Sequence, residues 1–256
     1  MSTDQPDWPD WPTGVARRVL DEVDSTNAEA ARIAPTLAGP EWILGLRQTA
    51  GKGRRGRAWI DPVGNFAATY VMRPTEPADQ VALRSFVAAL ALFDAFVAAT
   101  GKPTGLSLKW PNDVLLNGGK VAGILLESIG SGKGVDHLSI GIGVNLRNAP
   151  VADAVETQAL RPVSLANETG INVVPSEFLS LLAPAFAKWE SQFTTYGFAP
   201  IRKAWLARAA RLGEVITART GTEEITGTFE TIDQSGNLVL STAKGRRAIP
   251  AADIFF

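Results

Sequence analysis

Lys109-Trp-Pro-Asn-Asp-Val-Leu-Leu-Asn-Gly-Gly-Lys-Val-Ala-Gly-Ile124 is the stretch that decides the fold. Residues 106–110 and 114–116 are runs of β-type side chains, and Asn117-Gly-Gly119 separates them from a third run at 120–128. Asn-Gly between apolar runs marks a hairpin, because both central residues of the tight turn need positive φ. Pro111 removes a ladder donor, so this part of a sheet should lie at an edge or a bulge, and bulges re-aim side chains, here Asn112 and Asp113. The hairpin would thus present Lys109, Asn112, Asp113 and Lys120 close together. A lysine beside an aspartate and a bound polyphosphate stays charged and stabilises charge on a transferring phosphoryl group. The plainer alternative is an ordinary hairpin with exposed lysines.

Upstream, Gly51-Lys-Gly-Arg-Arg-Gly-Arg57 packs four cations and three glycines into seven positions. Glycines let a backbone approach a ligand and offer amide donors, while guanidiniums give forked donors for phosphate or carboxylate oxygens. Charges this dense repel, so the loop is expected to stay disordered until anions arrive. Gly51, Gly53 and Gly56 match G-x-G-x-x-G in letters only. A dinucleotide fingerprint needs an apolar helix to start here; instead Lys52, Arg54 and Arg55 intervene, and Arg57, Trp59 and a turn at Pro62 follow. No Gly-Lys pair precedes Ser or Thr, so a Walker-type phosphate loop is absent. Trp59 offers a flat face to a purine, or is a core side chain.

Asp24-Ser-Thr-Asn27 stands at a helix start, where Thr26-Asn-Ala-Glu29 fits a capping box. Capping explains Ser25 or Thr26, but four consecutive small polar residues exceed what one cap requires. Ser25, Thr26 and Asn27 are therefore candidate ligand contacts. Gln48, ending a strand just before the glycine loop, is similarly placed, with an exposed strand end as the alternative.

Around these motifs, residues 1–13 read as a disordered arm, with Pro6, Pro9 and Pro12 between acidic residues. A strand near 17–22 precedes the Ser25/Thr26 helix, which Pro35 ends; Trp42, Leu44 and Leu46 mark a half-buried strand, and another follows at 66–72. Residues 79–100 form one helix, with Leu83, Phe86, Val87, Leu90, Phe93 and Val97 at helical spacing and Gly101 just past its end. A strand at 135–145 carries Gly141 and Gly143, a sign of close approach by a neighbour or ligand. His137 falls on a surface turn without a role. Helices return near 164–168, at 176–196 with a kink at Pro184, and at 198–210. From about Leu212 only short strands remain, at 214–219, 224–231, 237–241 and 246–250. The whole is an α+β domain with a small all-β unit appended.

The 256 residues suffice for one large domain plus a small one, and 45% hydrophobic with 20% charged residues provides a real core. A formal net charge of −1 makes the cationic loop a local device and argues against a non-specific nucleic-acid binder. The absence of cysteine excludes thiolate metal sites and thioester-forming nucleophiles, and a single histidine excludes a multi-histidine metal centre. No stretch of about 18 uninterrupted apolar residues occurs. The Asp-, Pro- and Trp-rich start is unlike a signal peptide, so the chain reads as soluble and cytoplasmic, with no membrane association.

Five segments together, Asp24-Ser-Thr-Asn27, Gln48-Thr-Ala-Gly-Lys-Gly-Arg-Arg-Gly-Arg57, Lys109-Trp-Pro-Asn-Asp113, Lys120-Val-Ala-Gly-Ile-Leu125 and Gly141-Ile-Gly-Val-Asn145, resemble biotin protein ligases in order and spacing. The resemblance runs from about Val15 to the C-terminus, and the Lys-Trp-Pro-Asn-Asp segment is its most specific part. It implies an α+β catalytic domain at 14–210 built on a mixed β-sheet flanked by helices, and an SH3-like β-barrel at 211–256. It implies that biotin and ATP form biotinyl-5′-AMP, whose acyl group passes to a lysine of a biotin carboxyl carrier domain. Biotin contacts would come from Ser25, Thr26, Asn27, Gln48, Gly51, Lys52, Gly53, Arg54, Lys120 and Gly123. ATP contacts would come from Arg54, Arg55, Arg57, Trp59 (against adenine), Lys109, Asn112, Lys120 (on the α-phosphate) and Asn145 (near the adenine edge). Lys120, Arg54 and Asp113 would be catalytic; Asp113 positions Lys120, helps a magnesium ion or accepts the acceptor lysine's proton, three roles that stay open. Mg2+ is expected as the polyphosphate's counter-ion, with ligands unknown. Lys52 stands where many relatives carry arginine, which keeps the charge and loses the fork. No helix-turn-helix pattern precedes the first motif, so DNA binding is not expected, and a monomer or weak dimer is left open. Two rivals remain: lipoate or octanoate transfer, against which the missing cysteine counts, and a nucleotide- or RNA-binding module using the cationic loop.

Overall fold

The hairpin forms where the residues place it and anchors the rest. The computed structural model describes residues 10–130, 134–150 and 160–256; residues 1–9 of the expected N-terminal arm lie outside them. β4 (Leu106–Lys109), β5 (Asp113–Leu116) and β6 (Gly119–Ile129) are consecutive antiparallel strands. Asn117 and Gly118 make the β5–β6 turn with φ of 49° and 77°, the positive pair such a turn needs. Pro111 lies in the β4–β5 connection, where no ladder bond is lost. The β5–β6 register shifts between Val114 and Leu115, just past Asp113. Asn112 is fixed instead by β6, accepting from Ile124 N–H at 2.9 Å and donating through Nδ2 to Ile124 O at 2.6 Å.

β1 (Ala16–Leu20), β2 (Glu41–Gly45), β3 (Phe66–Met72) and β7 (His137–Val144) complete a seven-stranded sheet in the order β1-β2-β3-β7-β6-β5-β4. Only β1 and β2 run parallel, linked through α1 (Thr26–Ile33), so the sheet is mixed. β2 is buried on both faces, not half-buried: Trp42 and Leu44 face the main core, while Ile43 packs with Ala30, Leu37 and Val71 under α1. The alternation in its sequence reflected residue size, not exposure.

The long apolar helix is two. α2 (Ala78–Val81) and α3 (Arg84–Thr100) meet at Ala82–Leu83, and Gly101 ends α3 with φ 74°. By length and composition this segment could cross a membrane, yet 72% of its most apolar window is buried inside the fold. α4 (Leu165–Thr169), α5 (Pro175–Tyr196) and α6 (Phe198–Leu206) follow. α3, α5 and α6 cover one face of the sheet, with Phe96, Phe178 and Trp205 almost fully buried; each such side chain stabilises by roughly 1.5–3 kcal/mol. α5 continues through Pro184. His137 opens β7 rather than lying in a turn, and Arg73 donates to it at 2.8 Å.

β8 (Val215–Arg219), β9 (Glu224–Ile232), β10 (Leu238–Thr242), β11 (Gly245–Ile249) and β12 (Asp253–Phe255) form a second, antiparallel sheet, with β11 and β12 at its edges. It docks beside the hairpin: Trp110 Nε1 donates to Gly236 O at 3.0 Å. Leu108 exchanges backbone bonds of 2.8 Å with Arg208 and Ala210, which covers the exposed edge of β4. This docking carries β12, which the sequence reading did not foresee, to the mouth of the cavity.

Candidate active site

The N-terminus of α1, the loop after Gln48, the hairpin and β7 enclose a cavity of about 450 Å³. Its floor is glycine. Gly123 and Gly143 pair across β6 and β7, and a Cβ on Gly143 would come within 2.6 Å of the Trp59 indole. A Cβ on Gly141 would meet Asn27 Oδ1 at 2.4 Å. The close approach expected at Gly141 and Gly143 is therefore made by Asn27 and Trp59. Trp59 is half-buried over this floor, and Lys120 Nζ stands 5.7 Å from its ring centroid.

One wall is polar and neutral. Ser25, Thr26, Asn27 and Gln48 line it. The capping box does not form: Ser25 is the N-cap without a side-chain cap bond, and Glu29 turns to Arg32 and Arg18. Thr26 N–H donates instead to Gln48 Oε1 at 2.9 Å. Asn27 Nδ2 donates to Glu127 at 2.6 Å, which orients its amide. Thr69 Oγ1 lies 2.6 Å from Asn27 Oδ1 and 2.8 Å from Thr26 Oγ1. A hydroxyl carries one proton and Asn27 Oδ1 can only accept, so Thr69 donates to Asn27. Asp24 turns away to Arg32 at 2.7 Å.

The opposite wall is cationic around one carboxylate. Lys120 Nζ is 2.7 Å and Lys109 Nζ 3.9 Å from Asp113. Burial pushes the Asp113 carboxyl up, but Lys120 and then Lys109 outweigh it and hold the group below its ordinary range. Burial lowers the pKa of Lys109, and Asp113 opposes that. The Lys120 backbone is clamped by Arg161 O at 2.9 Å and Val163 N–H at 3.0 Å. Arg54 reaches in from the loop to Asn112 Oδ1 at 3.3 Å, linking loop and hairpin directly.

Asn145 closes the far end, 2% exposed. Its Nδ2 donates to Val163 O at 3.0 Å, while its Oδ1 is buried without a hydrogen-bond partner. An orphaned acceptor on a cavity wall calls for a ligand donor or a water.

The cationic loop is not left open. Gly53 N–H donates to Arg57 O at 2.7 Å and Trp59 N–H to Gly51 O at 2.9 Å. Asp253 of β12 pairs with Arg55 at 2.5 Å and Arg57 at 3.2 Å, which answers the repulsion that was expected to disorder the loop. Of the expected contacts, Lys52, Gly53, Arg54, Arg57, Trp59, Lys109, Asn112, Asp113, Lys120, Gly123 and Asn145 reach the cavity. Gly51 and Arg55 do not. Gly51 makes room for Gln48, whose Nε2 an added Cβ would meet at 2.9 Å, and Arg55 is turned out to Asp253. Pro150, Leu160, Pro162 and Phe255 line the cavity without any signal in the sequence.

Among the described residues no group of three metal-ligating side chains occurs. Asp113 and Asp253, the carboxylates on the cavity wall, are already paired with cations. These residues do not make a resident magnesium site; an ion accompanying ATP would be held by the phosphates themselves.

A cavity with one neutral polar wall and one cationic wall fits a ligase that brings a carboxylic acid to a nucleotide. The chain belongs to the biotin/lipoate A/B protein ligase family, whose model matches residues 19–145, and the biotin protein ligase C-terminal domain model matches residues 212–256. It is 62% identical over 238 residues to biotin–[acetyl-CoA-carboxylase] ligase of Paracoccus denitrificans, covering 93% of this chain and 99% of the relative. It is 33% identical to the bifunctional ligase/repressor BirA of Bacillus spizizenii, covering 91% and 72%. The biotin protein ligase of Aquifex aeolicus in complex with biotin and ATP superposes with a TM-score of 0.80 at 26% identity, covering 93% and 97%.

Proposed function

We propose that the chain activates biotin with ATP to biotinyl-5′-AMP and transfers the biotinyl group to a lysine of a biotin carboxyl carrier domain. The observation that supports this best is the meeting of Arg54, Lys120, Lys109 and Asp113 with a neutral polar wall in one cavity. The neutral wall suits a ureido ring, which is polar and uncharged, and the glycine floor suits the flat bicycle and its tail. The cations lie where a carboxylate and a triphosphate must meet despite like charge.

In the first step a biotin carboxylate oxygen forms a bond to the α-phosphorus as the bond to the bridging oxygen breaks, and pyrophosphate leaves. Lys120 stabilises charge on the α-phosphate, Arg54 screens the acyl phosphate, and Lys109 adds a second ammonium. In the second step the amine of the acceptor lysine attacks the acyl carbon, loses a proton, and AMP departs. Asp113 serves as the positioning group for Lys120. Its ion pair with Lys120 and its lowered pKa make it a weak base, which disfavours the proton-acceptor role. Trp59 offers an aromatic face to the purine, and Asn145 Oδ1 accepts from its exocyclic amine. Magnesium would come bound to the phosphates of the nucleotide and would supply charge neutralisation there. We infer a cytoplasmic reaction, with a carboxylase carrier domain as partner.

Mass spectrometry of a carrier domain incubated with the protein, ATP and biotin tests the reading. The expected result is one added biotinyl group on a lysine, dependent on both small molecules. An unmodified carrier would overturn it.

A further inference from the structure

The neutral wall is held by a residue that does not line the cavity. Asp61, in the turn before Pro62, sits behind Gln48, and its Oδ2 accepts from Gln48 N–H at 3.3 Å. That bond ties the Gln48 backbone, at the end of the chain segment after β2, to this carboxylate. The second oxygen, Oδ1, is buried with no hydrogen-bond partner. A buried carboxylate oxygen ordinarily recruits a cation or several donors, yet Asp61 here takes its hydrogen bond from Gln48 N–H. Burial accordingly raises its pKa to about 6, with Gln48 opposing.

Gln48 is thus held at its backbone by Asp61 and at its side chain by Thr26. Its Oε1 accepts from Thr26 N–H at 2.9 Å and lies 3.2 Å from Thr26 Oγ1. Its Nε2 has Gly51 against it, too close for any side chain there. With Thr26 on the oxygen, the carboxamide cannot flip without losing those bonds, and its Nε2 is left to face the cavity.

We propose that Asp61 is a positioning residue for substrate recognition: by holding the Gln48 backbone N–H it sets the point from which the Thr26-bonded carboxamide faces the ureido ring of biotin, without touching the substrate. This rests on the reading of Gln48 as a biotin contact, and the test separates the two. Biotin affinity without ATP, the KM for each substrate, kcat and thermal stability are measured for Asp61→Leu, Asp61→Asn, Gln48→Met and the double variant Asp61→Leu/Gln48→Met. Losing one well-placed hydrogen bond to a buried polar group weakens binding on the order of tenfold. Asp61→Leu should therefore raise biotin Kd and KM about tenfold with kcat and the ATP KM nearly unchanged. Asp61→Asn, which keeps one acceptor, should fall between, and the double variant should be no worse than Gln48→Met alone. Wild-type biotin affinity in Gln48→Met would sink the site reading itself. Weakened binding in Gln48→Met with wild-type binding in the Asp61 variants, or losses that multiply in the double variant, would overturn the positioning role and leave the site reading standing. Parallel loss of kcat, both KM values and stability would mean a merely structural role. Should Asp61→Leu not fold, Asp61→Asn carries the same cycle with Gln48→Met.

Discussion

The two cation-bearing segments of the cavity are held in opposite ways. The hairpin is part of a seven-stranded sheet, and its carboxylate, Asp113, is almost enclosed and shared by two lysines. The cationic loop is tied by a few turn bonds and by Asp253, an outlying carboxylate of the second sheet whose partners Arg55 and Arg57 are 47% and 45% exposed. The same chemistry, arginine or lysine against aspartate, is rigid in one place and releasable in the other. The proposed reaction would call for the first at Lys120, which should not wander, and for the second at Arg54, which should let ligands pass before closing over them.

The sharpest way to break the comparison is to remove the two aspartates in turn. Asp113→Ala leaves the enclosed Lys109 and the half-buried Lys120 without their carboxylate, and breaking a buried pair costs up to about 3–5 kcal/mol, less here because Lys120 is partly solvated. Chemical denaturation should show that loss. A stability near wild type would mean the hairpin is not built around its carboxylate. The pairing of Asp113 holds its pKa low, so the stabilisation is full above the unfolded-state pKa and fades as pH falls through the folded-state one.

Next in size is Lys120→Ala. Removing a preorganised charge from a transition state lowers rates about 100- to 1000-fold. Adenylate formation should fall by that much while biotin binding stays measurable, and an unchanged rate would reject the role given to Lys120. For the loop, Arg54→Gly should shorten the lifetime of bound adenylate about tenfold, the effect of one lost charged hydrogen bond. An equally long-lived adenylate in that variant would remove the closure idea.

The smallest effect belongs to Asp253→Ala. An exposed ion pair is worth about 0–1 kcal/mol, so global stability should barely move. Limited trypsin digestion, however, should cut at Lys52–Arg57 faster in this variant without ligands, and biotin with ATP should restore protection. Equal cleavage of variant and wild type would mean that Asp253 does not hold the loop.

Much of this was legible in the residues. Asn117-Gly118 announced its turn because few sequences satisfy two positive φ values, and the run of short strands after Leu212 followed from the loss of helical period. Polar residues at strand and helix ends marked one wall of the cavity. Long-range contacts were not legible. Asp-Ile-Phe at β12 is too short to carry a period, so Asp253's hold on Arg55 and Arg57 had no local signal. Thr26-Asn-Ala-Glu29 has the letters of a capping box, yet Gln48, 22 residues further on, takes the Thr26 amide. Gly51 and Arg55 looked like ligand contacts by motif, and packing gave them to Gln48 and Asp253. Local rules place elements well; they cannot say which distant side chain wins a donor.

Biotin-dependent exchange of pyrophosphate into ATP tests most directly whether loop and hairpin serve one cavity. Exchange should require biotin, and both Lys120→Ala on the hairpin and Arg54→Gly on the loop should depress it. Exchange that proceeds equally without biotin, or that survives both substitutions intact, would contradict the account.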